Sequence, residues 1–212
     1  MTADDPVALQ QAVLAETRRA CGDGHPATLS AMLDLAELLW AQGRLVSARK
    51  LEEEVVAGRR ELFGDGHADT LKAIGKLAVT MAAQGELAEA RRLQEEVVAA
   101  RRASDGDTGR ETLRALNNLA GTIGAQGDLD GARELLQSVA ETMSRVLGQE
   151  DIDTLAALGN LAGILWQAGE WDEACELQRE VLESCRRTLG ADAPATATAA
   201  AILQSMERQG EF

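Results

Sequence analysis

The 212-residue sequence predicts an all-α solenoid of antiparallel helix hairpins, about ten helices in all. Three observations predict it. Residue types recur every 42 positions, and within each interval the apolar positions fall at helical spacing. The composition, with three Pro and abundant Ala, Leu, Glu, Arg and Gln, suits residues that lose little freedom in a helix.

Aligned on Thr28 and stepped by 42, the chain places Thr70, Thr112, Thr154 and Thr196 in register without insertion or deletion. Leu35, Leu77, Leu119, Leu161 and Leu203 form a second column, and Ala36, Ala78, Ala120 and Ala162 a third. Gly43, Gly85, Gly127 and Gly169 hold another column, and Gly64, Gly106, Gly148 and Gly190 a further one. Between the glycines recur Ala48, Ala90, Ala132 and Ala174, and then Val55, Val97, Val139 and Val181.

Each period reads as two helices. The first runs from near the Thr to just before the first Gly, with a stripe such as Met32, Leu35, Ala36 and Leu39 at i, i+3, i+4, i+7. The second starts near Leu45 and keeps Ala48, Leu51 and Val55 on one face. The glycines fall where left-handed helix terminators are wanted. A hairpin alone leaves an apolar face bare, so neighbours must stack on it. Residues 1–27 are a half repeat matching a second helix over about 6–20, with Val13 in the Val column. Full repeats follow at 28–69, 70–111, 112–153 and 154–195, and 196–212 is a terminal half repeat, rich in Ala and Thr. The whole of 1–212 thus reads as one array, with an unpaired helix at each end and Glu211 and Phe212 where a partner helix would begin.

A formal net charge of −14 argues against nucleic acid and anionic membrane surfaces as partners, because both are bound through Lys and Arg. No apolar run approaches the roughly 18 residues a bilayer span needs. The acidic start, Met1 to Asp5 before Pro6, lacks the basic and then apolar pattern of a secretory signal. Cys21, Cys175 and Cys185 have no metal-ligand spacing and read as buried or half-buried apolar residues of a reducing, cytoplasmic compartment.

The segments HPATLSAMLDLAELLWAQGRLVSA, HADTLKAIGKLAVTMAAQGELAEA, RETLRALNNLAGTIGAQGDLDGA and IDTLAALGNLAGILWQAGEWDEA resemble tetratricopeptide repeats. The 42-residue period, the His-Pro-x-Thr-Leu opening and the Asn-Leu-Ala segment are similar to the kinesin-light-chain and nephrocystin type. That resemblance covers almost the whole chain. It implies a right-handed superhelix whose first helices line a concave groove for an extended peptide or a partner helix, with no catalysis by the repeats alone. The family's usual Tyr is replaced by Leu39, Met81, Ile123 and Leu165, and its Asn persists only as Asn118 and Asn160. Leu33 and Glu37 stand where a chaperone-tail clamp needs Lys and Asn.

On each first helix, positions 2, 6, 9 and 13 after the Thr point away from the packed stripe and vary between units. Lys72, Lys76 and Arg114 form a basic set within an acidic chain, flanked by Asn117, Asn118 and Asn160. They point to binding of an acidic segment or terminal carboxylate, with the amides available to a peptide backbone. The alternative is a solvated helix face, with the cations paired to Asp34 and Glu37. Gly121 and Gly163 on this face leave room for a ligand or serve close helix packing. Trp40 and Trp166 share position 12 at the groove edge, either as anchors or packed on a second helix, whereas Trp171 occupies the column of Leu45, Leu87 and Leu129 and reads as core.

Nothing in the inventory points to an enzyme, a metal or a cofactor. His25 and His67 occupy one column before the first helix, fitting turn and capping duty, and that column continues as Gly109 and Asp151. There is no Cys–His pairing, phosphate loop or paired-His metal motif, and the run Glu52 to Glu54 reads as a solvated helix face. The expected function is therefore a scaffold binding a peptide or partner helix. Two alternatives stay open: self-assembly into a homo-oligomer through the unpaired end helices, and a sensor or regulatory domain of a larger signalling protein.

Overall fold

A computed structural model describes residues 5–210; Met1 to Asp4, Glu211 and Phe212 lie outside the described residues. Those residues contain ten helices and no strand. The chain divides into two compact units, Met1–Ala100 and Arg101–Phe212, and the division falls inside α5 (Leu87–Asp105).

The first unit holds α1 (Pro6–Cys21), α2 (Pro26–Ala41), α3 (Leu45–Phe63), α4 (Ala68–Ala83) and α5 up to Ala100. Here α1 packs on α2, α2 on α3 and α3 on α4. The second unit holds α6 (Arg110–Ala125), α7 (Leu129–Val146), α8 (Ile152–Gln167), α9 (Trp171–Leu189) and α10 (Pro194–Gly210). Each of these packs on the next in order, and α6 also touches α8.

The columns explain the helices. Ala36, Ala78, Ala120 and Ala162, and likewise Ala48, Ala90, Ala132 and Ala174, are all fully buried. A methyl side chain at these points lets helix backbones close on one another. Glycines inside α4, α6 and α8 (Gly75, Gly121, Gly124, Gly159 and Gly163) each cost about 1 kcal/mol relative to Ala. Burial of each Leu or Ile on the stripe contributes about 1.5–3 kcal/mol, so tertiary packing outweighs the weak local propensity.

The turns are equally regular. At the end of α2 the Gly43 N–H donates to the Trp40 carbonyl and the Arg44 N–H to the Leu39 carbonyl, a Schellman closure that needs the positive φ of Gly43. The second glycine column differs from the left-handed helical geometry expected of it. Gly64, after α3, has φ 84° and ψ 169°, an extended region open essentially to glycine alone. Three threonines of the column lock this second turn, since the Thr28, Thr154 and Thr196 hydroxyls donate to the carbonyls of Gly22, Gly148 and Gly190 at 2.7–2.8 Å, whereas Thr70 donates to the Arg59 carbonyl at 3.3 Å. His25 and His67 cap α2 and α4, each accepting at Nδ1 from the backbone two residues on at 3.2 Å. Asp151 caps α8 in the same way.

One buried column is polar. Gln10, Glu52, Gln94, Leu136 and Gln178 are equivalent positions on second-type helices, and the last four are buried. Gln10 Nε2 donates to the Ala31 carbonyl at 3.2 Å, and Gln178 Nε2 to the equivalent Ala199 carbonyl at 3.0 Å. Glu52, read from sequence as part of a solvated run, is instead only 3 % exposed, because it points along the Gln column while Glu53 and Glu54 face water. Its Oε2 has no hydrogen-bond partner. Burial pushes the Glu52 carboxyl above its ordinary range; the Thr80 hydroxyl and the Lys76 ammonium pull the other way, and Glu37 and Glu53 add to the rise.

The cysteines divide. Cys185 is buried in a cluster with Leu155, Val181, Leu182, Ala199 and Leu203, and Cys175 packs against it half-buried. Burial pushes both thiols up, which keeps them protonated. Cys21, expected to be buried or half-buried, is exposed at the last residue of α1.

The end helices are not alike. On α1, Leu9 and Val13 are 66 % and 39 % exposed, although Val55 of the same column is fully buried. On α10, Gln204 and Glu207 stand in the columns of Ala36 and Leu39, and both are exposed.

Candidate functional site

The variable first-helix positions are on the surface. Ser30, Lys72, Arg114 and Ala156 at position 2 are exposed, as are Asp34, Asn118 and Asn160 at position 6, where Lys76 is half-buried. Helical geometry causes this: these positions lie opposite the stripe that contacts the second helices.

In the first unit, Lys76 Nζ sits 2.6 Å from Glu37 Oε1, joining α4 to α2. Lys72 is exposed and forms no ion pair with the described residues. In the second unit, Arg114 Nε is 2.8 Å from Asp153 Oδ1 and its Nη1 is 2.7 Å from Glu111. Asp153 also receives Arg110, which holds Asp151 at 2.6 Å. Hydrogen bonding to Asp153 raises the Arg114 guanidinium above its ordinary range, and Arg110 lowers the Asp151 carboxyl. Two of the three expected cations are thus already partnered.

The amides come together on α6 and α8. Asn160 Nδ2 donates to Asn117 Oδ1 at 3.1 Å, tying the two helices across the surface. Asn118 is exposed, and its side chain has no hydrogen-bond partner among the described residues. Beside the amides, a Cβ built at Gly121 or Gly163 meets nothing within 4 Å. Close packing therefore does not account for these glycines; they leave helix backbone bare on the face. Gly124 differs, because its added Cβ comes within 2.4 Å of Ile164 Cδ1.

Trp166 is half-buried and Trp40 is 44 % exposed. Trp171, read from sequence as core, is a correction: it is 56 % exposed. Its column only half-buries Leu45, Leu87 and Leu129, so the larger indole projects into water beside Trp166.

Sequence reasoning missed one further column. Arg49 and Arg133 are equivalent, and each reaches from a second-type helix to the turn of the next hairpin, at Glu86 and Glu170, both 2.5 Å away. The recurrence of Arg at 49, 91 and 133 with an acidic residue at 86, 128 and 170 was the available signal. No group of three or more His, Cys, Asp or Glu among the described residues is arranged to hold a metal ion, and no described helix is long and apolar enough to cross a membrane.

Residues 28–69, 70–104 and 154–195 match one tetratricopeptide repeat pattern, and residues 111–169 match a second. The chain belongs to the tetratricopeptide repeat family. Two of the matched segments, 28–69 and 154–195, have the bounds of the 42-residue period. Among solved structures, the nearly identical TPR-like repeats of a putative kinesin light chain from Podosopora anserina share 29% identity over 86% of each chain, with a TM-score of 0.63. This tetratricopeptide repeat chain has the same fold as BtubC (BKLC) from P. vanneervenii, at 18% identity over 98% of this chain and 88% of that one, TM-score 0.69. Rap protein, crystallised with Competence and Sporulation Factor, shares the fold at 12% identity and TM-score 0.70, over 94% of this chain and 58% of that one. Among functionally curated proteins, none matches the chain by sequence.

Proposed function

We infer that this tetratricopeptide repeat chain is a protein-binding scaffold that holds an extended peptide on the exposed face of its first-type helices. One observation carries the reading. On α6 and α8, an unpaired Asn118 amide and the Asn117–Asn160 pair lie beside bare backbone at Gly121 and Gly163. Such a face offers amide donors and acceptors at the spacing of adjacent helices, with room for a main chain to approach. Asn117 orients Asn160 and leaves the Asn160 carbonyl free to accept from a peptide N–H.

The charges tune which peptide is taken. In the first unit, Lys72 is the cation open to an acidic residue, whereas Lys76 is engaged by Glu37 and Arg114 of the second unit by Asp153. Those two reach a ligand carboxylate only by releasing their present partners, so on the first unit's own face Lys72 is the cation most open to an acidic segment.

Peptides selected on the wild-type chain from a displayed library provide the probe. Asn118→Ala with Asn160→Ala is expected to weaken their binding by roughly 10- to 100-fold, the worth of two or more neutral hydrogen bonds, with helical circular dichroism unchanged. Lys72→Glu is expected to weaken only those acidic peptides that bind the first unit. Retained affinity in the double Asn variant would overturn the reading.

A further inference from the structure

The chain has three tryptophans, and two of them meet at the tip of the α8–α9 hairpin. The ring centroids of Trp166 and Trp171 are 6.2 Å apart and their planes are tilted by 44°. Trp171 opens α9, and 56 % of it faces water. A repeat needs no more than a half-buried Leu at this position, as Leu129 illustrates in the same unit. The indole therefore adds apolar, π-rich surface that folding does not use.

Charge surrounds that surface unequally. Glu170, Asp172 and Glu173 flank Trp171, and among the described residues the cation paired with them is Arg133, at 2.5 Å from Glu170 and 3.9 Å from Glu173. Asp172 is exposed and forms no ion pair with the described residues. The positive end of the α9 dipole favours Asp172 and Glu173 in its first turn, which explains the carboxylates but not the indole. An aromatic face beside the unpaired Asp172 carboxylate attracts a planar cation twice over, through the ring quadrupole and through Coulomb attraction.

We propose that the Trp166–Trp171 corner is a second interaction surface, built to take an arginine side chain from a basic segment of a partner protein. The guanidinium stacks on the exposed surface of Trp171, drawn there by the neighbouring Asp172 carboxylate, with the tilted Trp166 ring 6.2 Å away completing the corner. Arginine fits better than lysine because its plane stacks on the indole and still donates in that plane. This surface is separate from the amide face of α6 and α8, so either can fail without the other.

The test uses the full chain and a capped hexapeptide of alternating arginine and glycine, with lysine and glutamate versions as comparisons. The three indole N–H signals are followed by NMR, assigned through single Trp→Leu variants. The arginine peptide is expected to move the Trp171 and Trp166 signals and leave Trp40 in place, with lysine weaker and glutamate inert. Trp171→Leu, which restores the residue type of its column, is expected to lower the affinity by about threefold to thirtyfold, and Asp172→Asn by a smaller factor. Asn118→Ala with Asn160→Ala is expected to change nothing. Equal affinity of Trp171→Leu and wild type for the arginine peptide would overturn the proposal. So would an absence of binding, or shifts confined to Trp40.

Discussion

Ala120→Glu is expected to abolish the cooperative unfolding transition of the second unit. Ala120 is fully buried in α6, and its equivalents Ala36, Ala78 and Ala162 are fully buried too. A carboxylate there must either ionise between packed helices or force them apart, at a cost of roughly 4 kcal/mol or more. Against a total stability of about 5–15 kcal/mol, that loss is large enough to unfold much of the population. Ala156→Glu is the control, since Ala156 is exposed on α8 one turn from its N-terminus. Thermal melts followed by circular dichroism should show the first variant losing its transition and the second melting like wild type. Equal melting of the two would mean that the buried stripe is misassigned.

Glu52→Gln is expected to stabilise the first unit at neutral pH. The substitution supplies the N–H donor that Gln10 and Gln178 use in the same column, aimed at the Ala73 carbonyl equivalent to those of Ala31 and Ala199. Removing an unsatisfied buried carboxylate oxygen is worth about 1–3 kcal/mol. The sign of the pH dependence follows from the direction of the shift. Burial raises the folded carboxyl above its unfolded range, so the folded state holds the proton more tightly. Stability is therefore full below the unfolded carboxylate range and falls as pH climbs through the folded one. The groups facing Glu52 are Thr80, Lys76, Glu37 and Glu53, and the Lys76–Glu37 pair keeps the ammonium from fully compensating the burial. Denaturant titrations across the acid-to-neutral range should show the variant and wild type converging in acid and separating toward neutrality. A constant difference at every pH would remove ionisation from the explanation.

Much of this was legible in the residues because the chain repeats itself. The predicted start of the second helix at Leu45 and the stripe Met32, Leu35, Ala36 and Leu39 match α3 and the buried face of α2. His25 and His67 could be read as caps because they recur one period apart just before a first helix, and Asp151 of the same column caps as well. Two readings failed for physical reasons. Trp171 sits in a Leu column, but a column predicts burial only for a side chain of the column's size, and these Leu are themselves half-buried. Glu52 looked solvated because the apolar stripe of its helix was sought among aliphatic residues, whereas this part of the packed face is a polar column.

The ion pairs were harder to read. Pairing of Lys76 with Glu37 was one of the two readings the residues left open, but the meeting of Arg114 with Asp153 was not legible, because the repeat places helices side by side and leaves open which rotamers meet. The Asn face was legible as a set of positions. Its open glycine backbone was not, because Gly121, Gly163 and the tightly packed Gly124 look alike in sequence.

The claim on which the functional account rests is that ligand binds the first-type helices. Photo-cross-linking tests it most directly, with p-benzoylphenylalanine placed singly at position 114 or 156 on α6 and α8, both exposed, or at position 141 or 183 on α7 and α9. Glu141 and Glu183 are exposed on the second-type helices, so all four probes face water. A library-selected peptide should cross-link from 114 and 156 and not from 141 or 183. Cross-links confined to 141 and 183 would contradict the account.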